Sequence, residues 1–149
     1  MSNGFDGIAE LEAIGVRLGA LAGGRIYPYI LDDAKLPLND KKTMVLPFLS
    51  YTAGQPIPYP GDKSLVGDIR KQIYTLPVTI HCHAGNPAAL TPLYGDTLDL
   101  LLGFQPTGDA CTPLETAGGF QLSFEANDIR PALYVRTLTF TTLINMATN

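Results

Sequence analysis

The stretch IRKQIYTLPVTIHCH, residues 69–83, decides how this chain is read. Laid out as extended backbone, it puts Tyr74, Leu76, Val78, Ile80 and Cys82 on one face and Thr75, Pro77, Thr79, His81 and His83 on the other. Apolar residues alternating with polar ones mark a half-buried strand. Both histidines of the chain and one of its two cysteines crowd the end of this stretch. The alternation that sets the fold therefore also divides a cluster of would-be ligands, with His81 and His83 on the polar face and Cys82 on the apolar one.

Reading outward, Gly85-Asn86-Pro87 stops the strand, and residues 88–102, AALTPLYGDTLDLLL, form a helix. Its apolar face is Leu90, Leu93, Tyr94, Leu98, Leu101 and Leu102, with Pro92 tolerated in the first turn and Gly103 as the stop. Before the strand, residues 54–67, GQPIPYPGDKSLVG, read as a polyproline-like loop ending in a Pro-Gly turn. TMVLPFLSYTAG, residues 43–54, is a further strand, at an edge, bulged, or with Pro47 pointing its missing N–H outward, because Pro47 cannot donate to a ladder. Residues 32–42 are polar and loop-like.

Residues 8–22, IAELEAIGVRLGALA, carry Ile8, Leu11, Ile14, Leu18 and Leu21 as one helical stripe, with Glu10, Glu12 and Arg17 turned away from it. Asp6 is placed to cap this helix and Gly23-Gly24 to end it, after which RIYPYIL resumes extended. At the other end, GFQLSFEANDI and LYVRTLTFTTLI make a closing antiparallel pair joined by NDIRP. In the last strand Leu138, Phe140 and Ile144 face one way and Val135, Thr137, Thr139 and Thr141 the other. The order of elements predicts an α+β fold over one domain, 1–149: a twisted, mainly antiparallel sheet with two amphipathic helices packed on one face.

Composition narrows the function classes. Of the 149 residues 46 % are apolar and 16 % charged, the latter low against a usual share of about 25 %. A neutral surface rich in threonine and asparagine, or a surface covered by other subunits, accounts for that. The net charge is −4, and Lys41-Lys42 and Arg70-Lys71 are the densest basic pairs, which argues against a groove that tracks nucleic acid. Two cysteines, Cys82 and Cys111, make no disulfide framework. The opening MSNGFDGIAELEA has neither the basic region nor the apolar core of a signal peptide, and the apolar runs fall far short of a membrane span. The expectation is a soluble protein, made inside the cell, with no membrane partner.

Candidate chemistry centres on His81 and His83, which share a face and in principle could chelate a metal or flank a substrate. The chain has no third histidine, and Cys82 points away. Cys111, in GDACTPLE, has no adjacent base to activate it. Phosphate loops and the common catalytic motifs are absent from the sequence. These readings predict no catalytic residue, no metal and no cofactor, with the histidines serving a surface or subunit contact.

Order and spacing also carry a family resemblance. A short amphipathic helix runs into LAGGRIYP (21–28), then TMVLPFLSY (43–51), IYTLPVTIHCHAG (73–85), LTPLYGDTLDLLLGF (90–104) and LYVRTLTFTTL (133–143). This resembles the small tail terminator, or tail completion, proteins (minor tail proteins) of long-tailed bacteriophages across roughly residues 8–144. Gly23, Gly24, Arg25, Tyr27 and Pro28 match the turn after the first helix, and Arg136, Leu138 and Phe140 the closing strand. Pro47 and the prolines of 54–64 depart from the family pattern and keep open another neck or tail-tube connector protein.

The resemblance implies a virion structural protein, assembled in the host cytoplasm, that takes part in head-tail joining. It would form a homo-oligomeric, hexameric ring that caps the tail tube, ends its polymerisation and meets both the major tail tube protein and the head-tail connector protein. DNA would pass without specific binding. Thr79, His81, His83, Thr137, Thr139 and Tyr59 are the candidate subunit interface, and Asp32, Asp33, Asp62, Asp96, Asp99, Asp109 and Glu115 candidates for a negative lumen. A small metal-binding domain or enzyme using His81 and His83 is the remaining alternative.

Overall fold

A computed structural model describes residues 8–29, 31, 35–58, 71–107, 111–117, 123–126 and 132–147. The elements run α1 (Ile8–Leu18), a 3-10 turn (Ala22–Gly24), β1 (Ile26–Tyr27), β2 (Phe48–Ala53), β3 (Ile57–Pro58), β4 (Lys71–Ala84), α2 (Pro87–Leu101), β5 (Glu115–Thr116), β6 (Ser123–Ala126) and β7 (Leu133–Ala147). The fold is α+β. Strands are ordered β1-β2-β4-β7-β5, with β3 on β4 and β6 on β7. β1 joins β2 in parallel; every other pairing is antiparallel.

The spine is the β4–β7 ribbon, paired from Lys71↔Ala147 to Ala84↔Tyr134. At about 3.3 Å per residue it is roughly 45 Å long. Pro77 sits inside this central strand. Its carbonyl accepts from Gly54 N at 2.8 Å, on the side away from β7. In a strand the N–H and C=O of one residue point to the same side. The missing N–H thus falls where β2 ends at Ala53 and β3 has not begun, and no bond to β7 is lost.

One face of the sheet carries the main core. Leu76, Val78, Ile80 and Cys82 of β4, Leu138, Phe140 and Ile144 of β7 and Leu49 of β2 pack with Ile14 and Leu18 of α1 and Leu90, Leu93 and Leu101 of α2. Both helices lie on this face, joined to each other by Arg17, which donates to Leu100 O at 2.9 Å and covers the Phe104 ring.

Several local expectations shift. α1 ends at Leu18 rather than running to Ala22, because Leu21 N bonds Leu18 O at 2.9 Å, a tighter turn in place of the helical bond. Gly23 and Gly24 belong to the turn that follows, with φ of +61° and +83°, values that glycine adopts without strain. Glu10 is buried although the stripe turned it outward. The capping residue proposed for α1, Asp6, lies outside the described residues.

α2 starts at Pro87 under Asn86, whose Oδ1 accepts from Ala89 N at 2.8 Å. Pro92 therefore falls in the second turn. Its ring removes a bond to the carbonyl of Ala88, and both residues are exposed. Leu102 is 52 % exposed, while Thr97 takes a buried place by donating to Leu93 O at 2.7 Å. Pro47 precedes β2 instead of interrupting it. Ile57 and Pro58, read as loop, add a short strand to β4.

The other face of the sheet is not uniformly wet. Val45, Phe48, Leu133 and Val135 form a second core with Tyr27, Leu31, Leu36 and Leu38. The segment around 35–47, held by the Leu38↔Val45 bridge and by Leu46 N to Pro37 O at 2.8 Å, covers this end of the sheet.

Candidate functional site: the open face of the sheet

Beyond that cover the second face is open among the described residues, its side chains half-buried but for the buried Ser50. Cross-strand register builds it in rows. Thr52, Thr79 and Thr139 stand side by side across β2, β4 and β7; Ser50, His81 and Thr137 form the next row; Pro77 and Thr141 flank the first on its other side. Side chains directly opposite each other touch in such rows. Over residues 73–83 of β4, 133–143 of β7 and 48–53 of β2, this face carries no lysine, arginine or carboxylate. Glu115 stands at its rim beside Thr141, where Thr75, Thr112, Glu115, Thr141, Thr142 and Leu143 line a cavity of about 320 Å³.

The histidines mark the border between the open and covered parts. His81 is half-buried, with Nδ1 3.2 Å from Thr137 Oγ1. His83 is 8 % exposed. Its ring lies flat on Phe48, centroids 4.2 Å apart and planes 3° apart, and Nε2 is 3.3 Å from the buried Ser50 Oγ. His83 Nδ1 has no partner among the described residues. Burial pushes His83 down to about 4, helped by neighbouring His81, and burial also lowers His81. Both rings are therefore neutral at pH 7. His83, expected beside Thr79 on the solvent or interface side, is buried against Phe48 and Ser50.

Cys82 faces the main core, as its alternation requires. Its thiol points to Thr97 Oγ1 at 3.8 Å, and burial pushes it up to about 12, so it is no nucleophile. Among the described residues no three His, Cys, Asp or Glu side chains gather as metal ligands. Cys111 is buried as well, its sulfur accepting from Thr107 N at 3.4 Å. No helix among the described residues is long and apolar enough to cross a membrane.

The two motif segments sit elsewhere. Gly23 and Gly24 turn the chain so that Arg25 Nε reaches Pro47 O at 2.8 Å and Arg25 O accepts from Leu49 N at 3.0 Å, seating β1 on β2. Tyr27 packs edge-on to Phe48 at 5.9 Å, and Pro28 beyond it is exposed. On β7, Leu138 and Phe140 enter the core, while the Arg136 guanidinium lies 3.9 Å over the Tyr94 ring of α2, a cation–π contact. Tyr59 lies outside the described residues, as do Asp32, Asp33, Asp62 and Asp109; Asp96, Asp99 and Glu115 are exposed.

Sequence reasoning missed Ser50, Thr52 and Phe48, which complete the rows on β2. Their own strand is too short to display an alternation, and only its register against β4 assigns their faces.

No protein-family model matches the chain, and no curated protein does. Among solved structures it is similar to a chain of "Virion of native gene transfer agent (GTA) particle", at 14 % identity and a TM-score of 0.48, over 91 % of this chain and 93 % of that one. A likeness this distant leaves the function to the chain's own residues.

Proposed function

We propose that this chain is a structural subunit of a phage-type virion: a tail terminator that works by assembling with copies of itself into a ring on the end of the tail tube. The observation that carries the reading is a sheet face that is uncharged across β2, β4 and β7, with Glu115 only at its rim, in a chain of net charge −4. Copies of an acidic protein meet most readily where no charge has to be desolvated. Threonine suits that role, since its methyl group contributes apolar area while its hydroxyl finds partners across a contact. The resemblance in sequence points the same way.

In this reading Thr79, His81, Thr137 and Thr139 form the contact, with His83 holding it from beneath by its stack on Phe48. The ring is hexameric and lies between the major tail tube protein and the head-tail connector protein, and DNA passes through it. The work is mechanical rather than catalytic. Ser50 and His83, the one serine–histidine pair among the described hydrogen bonds, are buried where no substrate reaches them.

The test is assembly. Native mass spectrometry and negative-stain microscopy of the chain, alone and with tail tubes, should show closed rings or capped tube ends. Thr79→Lys with Thr139→Lys should leave a folded monomer. A wild-type chain that stays monomeric and leaves tube ends uncapped overturns the proposal.

A further inference from the structure

The structure separates unpaired charges of opposite sign. Lys41 and Lys42 are exposed at the tip of the 37–46 turn, with Lys35 at its base and Asp40 beside them. Asp96 and Asp99 are exposed on the outer side of α2. None of these lysines and aspartates makes an ion pair among the described residues. Within one copy the turn packs on the second face of the sheet and α2 on the first. The turn is pinned to the start of α2, where Asn86 Nδ2 lies 3.2 Å from Met44 Sδ. Asp96 and Asp99 come ten and thirteen residues later, roughly 15–20 Å along the axis.

The aspartates are also misplaced for their own helix. Asp99 lies in the last turn of α2, which holds no basic residue. A helix C-terminus already carries partial negative charge, so a carboxylate there is disfavoured and a cation from outside is favoured. Arg17 answers the Leu100 carbonyl and the Phe104 ring instead.

We infer that the turn of one copy docks on the second half of α2 of the next copy, Lys41 and Lys42 against Asp96 and Asp99. The inference rests on the ring proposed above and names the surfaces that order it. The two patches differ, so the contact is heterologous: each copy offers one to each neighbour, and the series runs head to tail until it closes. Copies of net charge −4 repel on average, and this pairing selects the orientation in which they repel least. Exposed ion pairs add modest affinity each, so the contact sets register and association rate. It also takes Asp96 and Asp99 out of the lumen.

Charge exchange tests it. Lys41→Glu with Lys42→Glu makes both patches acidic; Asp96→Lys with Asp99→Lys makes both basic. All four sites are exposed, and unchanged thermal melts would confirm folding. By sedimentation in about 50 mM salt, each variant alone should associate at least about tenfold more weakly than wild type. Mixing the two variants, or joining all four changes in one chain, should restore association. Near-molar salt should erase the difference between variants and wild type. If wild type forms rings and either variant does so equally well, or the mixture stays dissociated, this contact is refuted and the ring reading stands. Failure of the ring reading looks different, since wild type itself would then remain monomeric.

Discussion

Lowering the pH should weaken this fold through His83 in particular. The ring is neutral in the folded chain because burial and His81 bring it from 6.5 to about 4. In the unfolded chain it titrates normally. Between those values the unfolded state binds a proton that the folded state refuses, so stability falls as pH falls from 6.5 towards 4 and levels off below. A difference of two to three pH units, at 1.36 kcal/mol each, gives about 3 kcal/mol. That is a large share of the roughly 5–15 kcal/mol of an ordinary domain. The physical event is a charge forced against Phe48 and Ser50 in a buried place, with no carboxylate bonded to it among the described residues.

The assay is urea unfolding followed by circular dichroism at half-unit pH steps, comparing wild type with His83→Phe. Phenylalanine keeps the stack on Phe48 and removes the titration. It also strips Ser50 Oγ of its partner, so the variant should be about 1–2 kcal/mol less stable at pH 7. Carboxylates contribute to both proteins alike, so the difference in slope isolates His83. Equal slopes for the two proteins between pH 6.5 and 4 would refute the argument.

Other consequences are local. In Gly85→Ala the new Cβ would lie 2.7 Å from Val45 O and 2.9 Å from Val45 N, backbone that cannot yield cheaply. A loss of about 2 kcal/mol is expected, read as a lower urea midpoint. Gly95→Ala, in mid-helix with nothing within 4 Å of its Cβ, should instead stabilise by about 0.5–1 kcal/mol, read as a higher midpoint; a loss there would contradict the open environment. Cys82, with its thiol near 12, should be thiolate to roughly one part in ten thousand at pH 8. Labelling by iodoacetamide should then track unfolding, and rapid labelling of the native protein at that site would show the burial to be wrong.

What the sequence determined by itself is what local periodicity carries. The alternation from Tyr74 to Cys82 placed every one of those side chains on its observed face, because side chains alternate along any strand whatever lies around it. Leu138, Phe140 and Ile144 were legible for the same reason, and so were Ile14 and Leu18 on their helical stripe. Two helices on one face followed, since both stripes needed the same apolar surface. The split of His81 and His83 from Cys82 needed nothing more.

Tertiary structure alone decided what covers the second face. Residues 35–47 have no period, only a bridge and a few apolar anchors, so nothing local says that they fold over Phe48 and Val135, the neighbours of His83. That packing turns one of two look-alike histidines into a buried, neutral group and leaves the other at the border. It also decided that Pro77 is harmless, because the break between β2 and β3 falls beside its missing N–H. The same holds for the lysine tip and the α2 aspartates: their signs are plain in the sequence, but their separation within one copy is a distance that exists only in the fold.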